Sequence, residues 1–496
     1  MLFMNRLRVS VSLIFTCVLF LSFCFIVPAQ ATGRSVIIGF HNDPGPSEKA
    51  LMLGKDIEIK HKFRHIPAYT AKLSDQAVER LRKDPRVKYV VEDTIYSVVD
   101  PIAIVAESVA DPIEYQNSWG VKHIGSQAAH SMNITGNGVR VAILDTGIDY
   151  THQEFAMNYK GGWDFVFDDN DPFDDSTNSH GTHVAGIIAA AANGSGVVGV
   201  APNAEIYALK VLDGGGHGDL SWIIEGIEWA VDNKMDVVNI SIGGPDSPAL
   251  QDACDAAYDA GVLLVAAAGN TNGGDVTYPA AYNSVIAVTG TDSADQQGWF
   301  APLGSQIELA APGVAIKSTS LNNGYADLSG TSQAAPHVSG LAALVLSAGV
   351  NDLNNDGIVN NRDVRMQLQM SARDLGDPGK DDVYGYGLID VATALRITDS
   401  VTFELVKGSK HRSDNRFYTF FDMTYQVGIA NKSLVGVRVV VYENGCVRDD
   451  LSKRILFSSQ LPQNVSFSLD AGGAAFNVVF LPIGTIGSSA VITIDQ

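Results

Sequence analysis

Cysteine is scarce in this chain. Its 496 residues include four, and two of them, Cys17 and Cys24, fall in an apolar leader. Cys254 and Cys446 remain, in what read as different domains, so a disulfide framework is not expected and core packing and metal ions must supply the stability. Basic residues are scarce outside the first hundred positions. Residues 1–99 hold 14 Lys and Arg against 9 Asp and Glu, residues 100–496 hold 20 against 46, and the formal net charge is −21. So acidic a surface repels phosphate backbones and argues against nucleic acid as a partner. It favours calcium, or it serves solubility alone. Long apolar runs are confined to one place. Residues 9–27 follow Arg6 and Arg8 and precede Pro28-Ala29-Gln30-Ala31, an A-x-A-like site. This reads as a secretory signal peptide over 1–31, cleaved after Ala31, although the run is also long enough for an uncleaved anchor. No later segment is apolar enough to span a bilayer. The expectation is a secreted, extracellular protein with no stable membrane insertion after cleavage.

Four short motifs carry the chemistry. Gly330-Thr331-Ser332-Gln333 precedes an apolar run over 338–346 that reads as a buried helix. A serine there sits at a positively polarised helix N-terminus, but its hydroxyl needs a base and a group to orient that base. His180-Gly181-Thr182-His183, before another small apolar run, supplies the base. Residues 139–144 read as a strand ending in Asp145-Thr146-Gly147, which puts a carboxylate at the carboxyl edge of a sheet, where open α/β sheets bind ligands. A second strand ends in Ala268-Gly269-Asn270, whose side-chain amide can donate to a developing oxyanion. Each motif also has a plainer reading: a strand end, a His180–His183 metal pair, a helix cap, a turn.

In this order, Asp145, His180, Asn270 and Ser332 resemble the subtilisin family of serine endopeptidases, the type case for such a triad on an α/β fold. The resemblance runs from about residue 119 to 395. It implies a triad of Asp145, His180 and Ser332, an oxyanion hole completed by Asn270, and protein or peptide substrates. The plainer alternative is a calcium-dependent binding protein on an inactive protease scaffold.

Strands and helices alternate after residue 118. Strands are expected at 139–144, 205–211, 237–242, 262–267 and 285–289, and helices at 181–192, 220–233 and 249–260. This predicts an α/β fold, a parallel sheet with helices on both faces, over 118–396. Before it, 32–99 read as β-α-β-β-α-β, a ferredoxin-like α+β unit whose final strand spans 87–99. It resembles the subtilisin propeptide, a folding aid and intramolecular inhibitor. Residues 100–117 read as a linker in which maturation occurs. Residues 397–496 alternate in the manner of an all-β sandwich of seven or eight strands.

The resemblance also places substrate contacts. Ser241, Ile242 and Gly243 form one edge for an extended peptide, the segment 212–218 with Gly214 forms the other, and Gly269 and Thr277 line the primary pocket. Backbone pairing of this kind tolerates many sequences. Calcium is expected in three places. The loop Asp352, Asn354, Asp356, Ile358, Asn360, Asp363 follows the EF-hand spacing, with Gly357 at position six, and resembles a dockerin-type loop with Asp in place of Glu at position twelve. Asp164, Asp168 and Asp171 resemble a calcium loop of thermostable subtilisins. Glu154 and Asn193 match a site shared by many subtilisins, whose usual glutamine has Gln116 as its closest counterpart.

Overall fold

The computed structural model describes residues 33–395, apart from Lys55, 100–113 and Asn355, and beyond them the backbone of strands between Thr402 and Ile494. The expected signal peptide, 1–31, and most of the expected linker, 100–117, lie outside the described residues. No described helix is long and apolar enough to cross a membrane.

The first unit has the expected element order. Strands β1 (Arg34–Phe40), β2 (Ile57–Lys62), β3 (Ala68–Leu73) and β4 (Val87–Glu92) form an antiparallel sheet in the order β2-β3-β1-β4. The helix Asp75–Arg82 starts where the Ser74 hydroxyl accepts from the Ala77 amide at 3.2 Å, a capping bond that offsets an orphan helix donor. Its buried face is Ala77, Val78 and Leu81, packed with Val36, Ile38 and Phe40.

The expected last strand, 87–99, is two strands. It breaks at Asp93, and β5 (Ile95–Val98) leaves the sheet. The cause is the Asp93 carboxylate. It accepts from the Ser35 hydroxyl at 3.1 Å, and from the Ser221 amide and hydroxyl at 2.8 and 2.9 Å. The chain is thereby turned from its own sheet onto the next domain.

That domain is a seven-stranded parallel sheet. Its strands are β6 (Arg140–Asp145), β7 (Tyr159–Asp164), β8 (Glu205–Lys210), β10 (Val237–Ile240), β12 (Leu263–Ala267), β13 (Val285–Thr291) and β14 (Ile307–Pro312), and the order is β14-β13-β12-β10-β6-β8-β7. Two short strands, β9 (His217–Asp219) and β11 (Ile242–Gly243), lie apart from it. Alternation sorts the side chains. Val141 and Ile143 join the core that contains Val184, Ile188 and Val338, from the helices His180–Ala189 and Thr331–Ala348. Ala142 and Leu144 join the core with Ile223, Ile227 and Ala253, from the helices Leu220–Asp232 and Pro248–Asp259. Helices therefore cover both faces, as a buried parallel sheet requires.

Among the described residues beyond 401, eight strands lie in two antiparallel sheets. Thr402–Arg412, Thr419–Gly428 and Gln463–Asp470 make one. Gly436–Glu443, Cys446–Val447, Lys453–Leu456, Phe476–Ile483 and Ala490–Ile494 make the other.

Candidate active site

Asp145 is the last residue of β6, so its carboxylate emerges at the carboxyl edge of the sheet. His180 opens a helix directly after Ser179, whose φ of +57° turns the chain into it. The two side chains are fully buried, and His180 Nδ1 lies 2.7 Å from Asp145 Oδ1. The Thr146 amide donates to the same oxygen at 2.8 Å. With Nδ1 bonded to the carboxylate, Nε2 is left as the basic nitrogen.

Ser332 is the second residue of the 18-residue helix Thr331–Ala348. Pro336 stands four residues on and has no N–H to give the Ser332 carbonyl. The Ser241 hydroxyl supplies that bond instead, at 3.0 Å. Asn270 follows Gly269, whose φ is +116°. Its Oδ1 accepts from the Thr331 amide and the Thr331 hydroxyl, each at 3.0 Å. Two donors on one oxygen fix the amide orientation, and Nδ2 points to the carbonyl oxygen of Val99 at 3.3 Å. The Ser332 hydroxyl reaches the same oxygen at 3.1 Å.

The segment ending at Val99 lies in the cleft as a third strand. β5 runs antiparallel to β11, with Ile242 opposite Val98 and Gly243 opposite Ser97, and antiparallel to β9, with Gly218 opposite Tyr96. The Val98 amide donates to the Gly216 carbonyl at 3.0 Å. Of the expected edge Ser241, Ile242 and Gly243, the last two pair with Val98 and Ser97, and the Ser241 carbonyl lies 3.5 Å from the Val99 amide. The opposite edge is displaced: the pairing residues are Gly216 to Asp219, and Gly214 faces Asp175 instead. Tyr96, three residues before Val99, is 1 % exposed and donates to the Pro245 carbonyl. Gly244 makes room for its ring, since a Cβ there would sit 2.2 Å from Tyr96 Cδ1. That contact had no signal in the sequence beyond the glycine.

Several buried polar groups brace the pair Asp145 and His180. Asp174 Oδ1 accepts from the Thr146 hydroxyl at 3.0 Å and the Ser176 hydroxyl at 2.6 Å. Its Oδ2 accepts from the Thr182 amide and hydroxyl at 3.0 and 2.6 Å. The Thr146 hydroxyl in turn accepts from the Gly181 amide at 3.0 Å. One carboxylate thus ties the end of β6 to the first turn of the His180 helix. Burial pushes its pKa up, and the hydrogen bonds from Ser176 and Thr182 oppose this. Lys210, 1 % exposed, donates to the Thr146 and Leu212 carbonyls and to Asp175 at 2.8 to 2.9 Å. Sequence reading missed this brace; the Asp174-x-Ser176 turn before His180 was its visible trace. His183 is not half of a metal pair. Its Nε2 is 3.1 Å from both the Ile316 and Ala326 carbonyls, and burial pushes its pKa down to about 3.

The expected calcium ligands fare unequally. Among the described residues no group of three or more His, Cys, Asp or Glu comes together in a metal-holding arrangement. Asp164 Oδ1 accepts from the Val166 and Phe167 amides at 2.7 and 3.0 Å, and Asp171 Oδ1 from the Tyr150 hydroxyl at 2.6 Å. Asp168 is an exposed turn residue with φ of +57°. These three close a turn and do not converge. Glu154 and Asn193 do meet, with Asn193 Nδ2 2.8 Å from Glu154 Oε2. Their companion is Glu114, not Gln116: Glu114 Oε2 accepts from the Asn193 and Gly194 amides at 3.1 and 2.6 Å. Burial raises the Glu154 pKa, and the charge of Glu114 adds to the rise. In the loop from Asp352, Gly357 has φ of +85°. Asp352 Oδ2 accepts from the Gly357 amide and Asp356 Oδ1 from the Ile358 amide, each at 2.8 Å. Asn360 and Asp363 form a capping box for the helix Asn361–Ser371.

Comparison with known proteins follows the same division. A model of the subtilase family matches residues 136–387, and a model of the peptidase inhibitor I9 matches residues 48–98. Subtilisin NAT of Bacillus subtilis subsp. natto and subtilisin E of Bacillus subtilis are each 40% identical over 408 residues, covering 79% of this chain and all of the relative. A thermostable alkaline protease of Halalkalibacterium halodurans is 40% identical over 342 residues, 69% of this chain and 86% of its own.

Proposed function

Since this chain belongs to the subtilase family of serine endopeptidases and carries an I9 inhibitor segment that makes it a zymogen, we propose that Asp145, His180, Ser332 and Asn270 perform its peptide-bond hydrolysis. Ser332 Oγ attacks the scissile carbonyl while His180 Nε2 takes its proton. Asp145 holds the imidazole tautomer and stabilises the imidazolium. Asn270 Nδ2 and the Ser332 amide receive the oxyanion. His180 then protonates the leaving amine, and water repeats the sequence on the acyl-enzyme. The observation that carries this reading is the Val99 carbonyl oxygen, 3.1 Å from Ser332 Oγ and 3.3 Å from Asn270 Nδ2. It occupies the place of a carbonyl about to be attacked. The test is labelling by a fluorophosphonate, which requires an activated serine: the wild-type enzyme should label and Ser332→Ala should not. Absence of wild-type labelling refutes the assignment.

Recognition is by backbone. β5 pairs on both sides with cleft edges, and an extended substrate that replaced it would gain the same main-chain bonds whatever its side chains. Broad specificity along most of the cleft follows.

Calcium belongs to two of the three expected places. Glu114, 7 % exposed, and Glu154, 0 % exposed, both converge on Asn193. Two nearly buried carboxylates side by side raise each other's energy unless a cation lies between them. Glu114, Glu154 and Asn193 would hold it. In the loop 352–363 the oxygens of Asp352, Asn354, Asp356 and Asp363 and the Ile358 carbonyl would do the same, because Asp352 lies close enough to add to the burial that raises Asp363. Calcium supplies charge neutralisation there and takes no part in hydrolysis. The Asp164, Asp168 and Asp171 set does not fit an ion. The reading includes export directed by residues 1–31, maturation after Val99, and a separate C-terminal domain from about residue 397.

A further inference from the structure

Thr277 stands against two glycines, Gly243 and Gly269, and Gly243 also borders the Val99 side chain. A Cβ at Gly243 would lie 2.8 Å from Thr277 Oγ1 and 3.1 Å from Val99 Cγ2, and a Cβ at Gly269 would lie 3.0 Å from both Thr277 Cγ2 and Oγ1. The glycines therefore form two bare walls, and Thr277 is the side chain that stands between them, beside Val99. Val99 itself is 7 % exposed.

Thr277 has no room to withdraw. Its amide donates to the Ala268 carbonyl at 2.9 Å, and its hydroxyl to the same oxygen at 3.3 Å. The next residue, Tyr278, exchanges backbone bonds with Gly244 at 2.9 and 3.2 Å. Both walls are thus bonded to the segment that carries the threonine. A β-branched side chain on so fixed a backbone has little rotamer freedom, and close-packed surroundings do not absorb extra methylenes without displacement.

We propose that Thr277 sets the specificity of this enzyme at the residue before the scissile bond. It shortens the pocket so that valine, alanine and side chains of like size are accepted and leucine or aromatic ones are rejected. The substrate class is then proteins cut after small aliphatic residues, an exception to the tolerance that backbone pairing gives elsewhere in the cleft. This rests on the reading of Ser332 as nucleophile and of Val99 as occupant of the primary pocket.

The experiment uses the self-processed enzyme, with active sites first counted by fluorophosphonate labelling. Peptides carry Tyr-Ser-Val, the sequence of residues 96–98, followed by Val, Ala, Leu or Phe before the bond to be cut. The expected kcat/KM for Val and Ala exceeds that for Phe by about 100-fold, the range that pocket size commands. Thr277→Gly should raise cleavage after Phe by about tenfold or more, the scale of removing side-chain volume from such a pocket. Thr277→Val, of equal shape without the hydroxyl, should keep the wild-type order. Cleavage after Phe within a few-fold of Val by fully labelled wild-type enzyme overturns the role of Thr277 and leaves Ser332 standing. Failure of the wild type to label overturns the nucleophile and this inference with it. The wild-type profile decides the matter even if Thr277→Gly does not mature.

Discussion

The hydroxyl of Ser332 lies 3.1 Å from the carbonyl oxygen of Val99, 233 residues earlier in the chain. The zymogen thus holds its own backbone in the position of a substrate. Wild-type protein should cut itself after Val99, and N-terminal sequencing of the mature form should begin at Asp100. Ser332→Ala should stay a full-length precursor when purified away from other proteases. A mature N-terminus within residues 33–95, or normal processing of Ser332→Ala, would contradict self-cleavage at this bond.

Asp174 should matter to catalysis without touching substrate. Asp174→Ala strands the hydroxyls of Thr146, Ser176 and Thr182 and the Thr182 amide in a buried place. A buried donor left unpaired costs about 1–3 kcal/mol. The melting temperature should fall, and kcat should fall about tenfold or more with KM within about twofold, since the loss is in positioning the base and not in binding. Steady-state kinetics would settle it; an unchanged kcat would reduce the network to a stabilising one.

The inhibitor segment should bind with a pH dependence set in part by Glu225. This carboxyl is pushed up to about 7 by burial first, then by the charges of Glu228, Asp168 and Asp93, with Arg64 opposing. It faces His61 of the segment at 3.8 Å, and Glu228 accepts from the Arg64 and His65 amides, each at 2.7 Å. Release of the segment exposes Glu225 and returns its pKa toward the ordinary 4.5. Between those values the complex holds more protons than the separated parts, so binding weakens as pH rises from 4.5 through 7. Burial pushes His61 down, which acts in the opposite sense, so the measurement must compare wild type with Glu225→Gln at each pH. The ratio of their inhibition constants for residues 33–99 should be flat below 4.5, then change until about 7. A ratio that never changes would mean that Glu225 stays buried in the free enzyme or is not involved.

Chelation should lower thermal stability and speed self-digestion. An ion that binds only the folded state stabilises by about 2.7 kcal/mol at a hundredfold excess over Kd. Glu154→Gln and Asp356→Ala should each bind one calcium fewer by calorimetry and melt lower than wild type. Unchanged stoichiometry and melting temperature in Asp356→Ala would leave the loop 352–363 as a polar turn capped by Asn360 and Asp363.

The residues proposed for catalysis are legible as candidates because each sits in a short contiguous motif at a strand or helix end. β6, β8, β10, β12 and β13 were legible because a strand buried on both faces reads as a mostly apolar run. β7 was not: it contains Gly161 and Gly162, and its register depends on a carbonyl contact, since a Cβ at Gly162 would sit 1.7 Å from the Ala208 oxygen. β14 contains Glu308, which spoils its apolar run and is explained by Arg365 and Gln369, 57 and 61 residues on, which both bond to its carboxylate. Glu114 went unrecognised because its role depends on two amides 79 and 80 residues away. Gly214 was misplaced because a glycine-rich loop does not reveal which of its residues turn and which pair.

Asp93 has a consequence for the life of the finished molecule. The helix Leu220–Asp232 makes no cap from its own Asp219; the Ser221 amide and hydroxyl both bond to Asp93, and the Leu220 amide to the Thr94 carbonyl. Cutting after Val99 discards those partners and keeps the helix. An arch stands after its centering is struck, yet it is not rebuilt without it. A chain cut there would keep the helix but lose the partners of its first turn, so it should refold more slowly than the full-length chain. Hysteresis is the expected outcome, a shape reached readily in company and regained slowly alone.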